Sequence, residues 1–152
     1  MNELRRALLR AAGAGLVFGA GLLRPMRALA AEWNKSGFDA KSIADALRSI
    51  GAATSIESKD ILIKAPEIAE NGAVVPVEVT SKIPNTQSIS LVAEKNPFPL
   101  IASFDFAHGA EGFISTRIKM GQTSQIRAIV KADGKVYSAS KEVKVTIGGC
   151  GG

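Results

Sequence analysis

The sequence is short of reactive side chains. In 152 residues there is one cysteine, one histidine, one tryptophan and one tyrosine. A lone cysteine excludes an intrachain disulfide framework. One histidine and one cysteine cannot make a cluster with metal-ligand spacing, so no metal site is expected. No Ser-His-Asp or Cys-His motif is evident, no glycine-rich phosphate loop opens a helix, and no motif pairs two carboxylates. His108, in the glycine-rich turn HGAEG, reads as a solvated turn residue. We therefore expect no catalytic residue and no cofactor. Aromatic residues are 5% of a chain that is 46% hydrophobic, so aliphatic side chains must fill the core.

Charge of one sign is also scarce once its position is considered. The formal net charge is +5, but residues 1–31 hold five arginines against one glutamate, leaving fourteen basic and thirteen acidic residues elsewhere. If residues 1–31 are removed, no basic patch is left to argue for nucleic acid, and no nucleic-acid partner is expected. Long apolar runs are absent too. Ala11 to Leu23 falls short of the roughly 20 residues a membrane span needs. That run follows Arg5-Arg6 and precedes Ala28-Leu29-Ala30, a small-x-small cleavage pattern. Residues 1–31 read as a twin-arginine signal peptide, with an ordinary Sec signal or a membrane anchor as competing readings. The expected destination is the periplasm, where an unpaired thiol is inert, bound to another molecule, or kept for chemistry.

Residues 32–53 read as a short helical segment. Asp39 is the expected cap, Ile43, Ala46, Leu47 and Ile50 form one apolar stripe, and Gly51 is the stop. The helix is expected to pack on the domain. Across 54–147 the period changes to two, in seven or eight short runs. KVYSAS and KEVKVTI read as separate strands. Val75, Val77 and Val79 share a face. So do Leu100, Ala102, Phe104 and Phe106; Ile114, Thr116, Ile118 and Met120; and Ile126, Ala128 and Val130. Phe104 and Ile118 are expected to be buried. Asp133-Gly134 between alternating runs predicts a tight hairpin. Pro76 within a run predicts a sheet edge or bulge. This patterning predicts an all-β fold, an immunoglobulin-like antiparallel β-sandwich with a short N-terminal helix.

The chain ends in VTIGGCGG. Gly148, Gly149, Gly151 and Gly152 give Cys150 no apolar neighbours, and glycine resists ordering more than any other residue. Residues 148–152 are expected to form a flexible, thin arm. Its thiol can swing roughly 10 Å from the last strand. Without an adjacent cation the thiol keeps a pKa near about 8.5, so a partner must activate it.

The tail, the strand segments KNPFPLIASFDF and ISTRIKMGQTS, and the run DGKVYSASKEVKVTIGGCGG resemble the SoxY family, the carrier subunits of the periplasmic thiosulfate-oxidising (Sox) system. The twin-arginine leader fits it as well. The resemblance implies a non-catalytic carrier whose covalent attachment point is Cys150. It implies a SoxZ-like partner subunit in a heterodimer. It also implies a SoxA–SoxX cytochrome that joins thiosulfate to the thiol, a SoxB hydrolase that releases sulfate and, where present, a SoxC–SoxD dehydrogenase that oxidises the remaining sulfur. Two other readings compete. A ubiquitin-like sulfur carrier also ends in Gly-Gly, but it needs cytoplasmic ATP and no cysteine. A periplasmic sandwich module could instead use Cys150 for an intermolecular disulfide.

Overall fold

A computed structural model describes residues 33–107 and 109–146. Two short helices come first. α1 (Lys35–Phe38) is capped by Asn34, whose side chain accepts from the Gly37 amide. α2 (Ile43–Ser49) is capped by Ser42, whose hydroxyl accepts from the Asp45 amide at 3.1 Å. Asp39, expected as the cap, instead ends α1. The helix therefore starts later than a cap at Asp39 would place it, at the first residue of its apolar stripe, because Ser42 is extended and its hydroxyl takes one of the first amides. Gly51, at φ +66°, provides the expected stop. The Ser42 hydroxyl also donates to Asp45, and with the Arg48 guanidinium it holds that carboxyl below its ordinary range.

Nine strands follow among the described residues: β1 (Ile56–Glu57), β2 (Ile61–Lys64), β3 (Ile68–Ala69), β4 (Val75–Ser81), β5 (Thr86–Ala93), β6 (Leu100–Asp105), β7 (Phe113–Ile118), β8 (Ser124–Ala132) and β9 (Lys135–Val145). They form a β-sandwich. One sheet has the order β1-β9-β8-β5-β6 with β3 also on β9, and the other is β2-β4-β7. Val75, Val77, Val79, Ile89, Leu91, Ile126, Ala128 and Val130 are all fully buried between the sheets. Ile114, Ile118 and Met120 close the same core. The predicted hairpin is present, with Asp133 and Gly134 both at positive φ and Ala132 paired to Lys135. Pro76 lies where pairing of β4 to β2 has stopped, since that ladder runs only from Glu78 to Ser81. β4 is therefore locally an edge there, as the proline requires.

Several expectations are corrected. KVYSAS and KEVKVTI are one strand, β9, of eleven residues. β1 and β3 are two-residue strands that pair with β9 in parallel, in an otherwise antiparallel arrangement. Leu100 does not share a face with Ala102, Phe104 and Phe106. Pairing passes from Leu91↔Ala102 to Val92↔Leu100, leaving Ile101 as an extra residue. A bulge of one residue turns everything beyond it to the other face. Leu100 thus joins Val92 and Ile129 on the outer side of the large sheet, beneath Ala46 and Ile50 of the α2 segment. Phe104 is partly buried, not buried, because β6 is the edge strand of its sheet.

Candidate functional site

Cys150, Gly148, Gly149, Gly151 and Gly152, together with Arg5, Arg6 and His108, lie outside the described residues. The described part of the site is its root, where β9 hands the chain to the tail. β8 begins at Ser124, opposite Val143, so β9 overhangs it beyond that pair. The overhang is nonetheless held on both edges. The Val145 amide donates to the hydroxyl of Thr123 at 3.0 Å, a side chain standing where a ladder carbonyl would be. On the other edge the Lys144 amide donates to the Glu67 carbonyl at 2.9 Å and the Thr146 amide to that of Ala69 at 3.2 Å. The Thr146 hydroxyl adds a bond to the Glu70 carbonyl at 3.3 Å. The root is fixed as far as Thr146.

Gly72 explains how the turn after β3 comes close enough. The Met120 amide donates to the Gly72 carbonyl at 2.7 Å. A Cβ on Gly72 would lie 2.4 Å from the Met120 carbonyl oxygen and 2.8 Å from Val145 Cγ1, both inside contact distance. Only glycine fits between β7's exit and β9's end. The β5–β6 and β7–β8 loops are joined in turn at this same end. Asn96 donates to the Lys119 carbonyl at 2.7 Å and accepts from the Gly121 amide at 3.2 Å. The Gln122 side chain reaches the Lys95 carbonyl at 3.2 Å.

The opposite end of the sandwich carries a cleft of about 520 Å³. Asn85, Thr86, Phe106, Ala107, Gly109 and Asp133 help to line it. Ala107 and Gly109 flank His108 in sequence. β9 runs from the Asp133 hairpin to the tail root, and eleven residues of strand span about 36 Å. Cys150, four residues past Thr146, reaches at most about 14 Å. The cleft at the Asp133 end is thus out of range of the thiol of the same chain. Among the described residues no group of three or more His, Cys, Asp or Glu is placed to hold a metal.

Sequence reasoning singles out Cys150 and its glycines as candidates, which lie outside the described residues, and does not point to Thr123, Thr146 and Gly72, which fix the root of the tail. Gly72 had a signal, the ENG turn. Thr123 had none.

The family described as "Sulfur oxidation protein SoxY" matches residues 47–150. Among solved structures, the sulfur carrier protein SoxY from Chlorobium limicola f thiosulfatophilum is 43% identical, with a TM-score of 0.60 over 68% of this chain and 96% of that one. The human F-spondin reeler domain is 10% identical, with a TM-score of 0.45 over 60% of this chain and 95% of that chain. No curated protein matches the chain.

Proposed function

The chain belongs to the SoxY family of sulfur-oxidation proteins, and on that premise we propose that it carries sulfur intermediates covalently on Cys150 and presents them to partner enzymes. A sulfur carrier of the Sox system has to expose a nucleophile, survive its modification, and release the product unchanged in fold. The observation that supports this reading most is the anchored root. β9 is hydrogen-bonded on both edges through Thr146, so the segment holding Cys150 begins at a fixed point while the core lies elsewhere. The family match also extends through residue 150.

The chemistry runs as follows. The Cys150 thiol and thiosulfate join through a new S–S bond, losing one proton and two electrons, which a SoxA–SoxX cytochrome accepts. The product is an S-thiosulfonate. A SoxB hydrolase adds water across its terminal S–S bond, releasing sulfate and leaving a persulfide on Cys150. A SoxC–SoxD dehydrogenase, where present, accepts six electrons from the outer sulfur while three waters supply the oxygens of an S-sulfonate and seven protons are released, and a second hydrolysis frees that group as sulfate and restores the thiol. The chain itself supplies attachment and presentation and performs none of these steps. Gly148, Gly149, Gly151 and Gly152 keep the arm thin enough to enter a narrow pocket. A SoxZ-like subunit pairs with the sandwich, and the folded pair reaches the periplasm on the Arg5-Arg6 leader.

Intact-mass measurement tests the attachment. After incubation with thiosulfate and the oxidising cytochrome, the protein should gain the mass of one thiosulfate group, and Cys150→Ser should gain nothing while melting normally. A gain that persists in Cys150→Ser refutes the site. Export is tested by changing Arg5 and Arg6 together to Lys. Precursor should accumulate in the cytoplasm, and normal periplasmic yield would refute the twin-arginine route.

A further inference from the structure

The end of the sandwich from which the chain leaves toward Cys150 carries exposed apolar side chains on three separate segments. Phe98, in the β5–β6 loop, is 49% exposed, Val74, just before β4, is 51%, and Ile68, on β3, is 58%. These segments are not independent. Asn96 ties the Phe98 loop to Lys119 and Gly121. Met120 ties that loop to Gly72, the Val74 amide bonds the Asn71 carbonyl, and β3 is paired to β9 at Lys144 and Val145. Three large apolar groups therefore stand on one hydrogen-bonded platform that also holds Thr146. Such exposed groups contribute little to the core, and several gathered on one tied platform make the kind of surface that another protein covers.

The length of chain beyond Thr146 says which protein. Cys150 lies at most about 14 Å from Thr146. An enzyme that takes this thiol into an active site must bring its own surface within that distance, and it then meets the platform. We propose that the surface bearing Phe98, Val74 and Ile68 is the docking site for the catalytic partners that act on Cys150. The complementary face on the partner is an apolar rim surrounding a narrow opening that admits the glycine arm. Of the other exposed apolar side chains, Trp33 precedes α1, Ile56 lies opposite Tyr137 toward the hairpin end of β9, and Leu62 and Phe113 belong to a different surface. They flank Thr80 on the outer face of the three-stranded sheet, toward the other end of β4. This inference rests on Cys150 being the carrier thiol.

The test uses the complex with its partner subunit, loaded with thiosulfate, and a SoxB hydrolase. Phe98→Ser combined with Val74→Ser, and separately Ile68→Ser, are compared with the unsubstituted protein. The double variant should raise the hydrolase KM about tenfold or more, as loss of apolar anchors does. Its kcat at saturating carrier should stay within about twofold, because the arm is unaltered. Maleimide labelling of Cys150 and the melting temperature should not change. An unchanged KM in both variants overturns the proposal. So does dissociation of the two subunits in gel filtration, which would assign the platform to the subunit interface. Failure of the unsubstituted complex to load thiosulfate is read before any KM, and it identifies the carrier reading as the failed premise.

Discussion

Gly72→Ala should loosen the point from which the tail departs. The added methyl would sit 2.4 Å from the Met120 carbonyl oxygen and 2.8 Å from Val145 Cγ1. The first obstacle is backbone and cannot rotate away. Relief requires the turn to retreat by several tenths of an ångström or more, and that stretches the 2.7 Å bond from the Met120 amide to Gly72. Overpacking costs about 1–3 kcal/mol, and a weakened hydrogen bond adds about 0.5–1.5. Against these stands about 0.4–1 kcal/mol gained from a stiffer unfolded chain. The net loss is about 0.5–4 kcal/mol, a fall in melting temperature of roughly 2–20 °C for a domain of this size. Gly121→Ala is the control. Gly121 has nothing within 4 Å of its would-be Cβ and no positive φ, so only the unfolded-state gain remains and the melt should hold or rise slightly. Thermal unfolding of both variants, with hydrogen exchange at the Val145 and Thr146 amides, measures the outcome. Equal melting temperatures for the two variants would refute the packing argument.

Phe104→Ala should cost less than the roughly 3–5 kcal/mol of a fully buried phenylalanine, because Phe104 is only partly buried on an edge strand. Ile118→Val, at a buried site, should cost about 0.5–1.5 kcal/mol; denaturant titration gives both. Ser42→Ala should cost about 1 kcal/mol through loss of the α2 cap, read from the same titration. Asp45, whose carboxyl is held below its ordinary pKa of 3.8, stabilises the fold above that value and ceases to do so as pH falls through its lowered one. Asp45→Asn should therefore be less stable than the unsubstituted protein at neutral pH and match it in strong acid, as pH-dependent melting will show. Gly148→Val with Gly149→Val should leave maleimide labelling of Cys150 nearly unchanged and sharply lower partner-dependent sulfate release, since valine stiffens and widens the arm. Unchanged sulfate release would mean the glycines are not an access device.

The inward faces of the strands were legible where their alternation is regular, as at Val75, Val77 and Val79 or Ile126, Ala128 and Val130. Where the fold departs from alternation, the sequence pattern misled. Ile101 is apolar like its neighbours, so nothing in the sequence marks it as the extra residue of a bulge, and simple alternation assigns Leu100 to the wrong face. Val92 and Ile129 sit in runs, SLVA and AIVK, in which apolar residues are consecutive. That is how a strand covered on both sides reads, and the helices supply the second cover. β1 and β3 are two residues long and carry no period at all. Cys150 was legible only as a candidate, outside the described residues, because its glycine neighbours are written in the tail itself. Thr123 was not, because a threonine in a turn has many uses and only the overhang of β9 gives it this one.

Because β9 lies between β8 and the pair β1 and β3, the last of the described strands is the one that joins β1 and β3 to the sheet. Its side-chain bonds link residues as far as 76 and 83 positions apart, Lys141 to Ala65 and Ser138 to Ser55. Contacts this remote in sequence form slowly, since a large loop must close before they return any energy. A chain still attached to the ribosome before Lys135 has β8 as an open edge and no partner for β1 or β3. Closure of the sandwich therefore waits for synthesis of β9, and any premature stop upstream of β9 yields an aggregation-prone sheet edge in place of a shortened but folded protein.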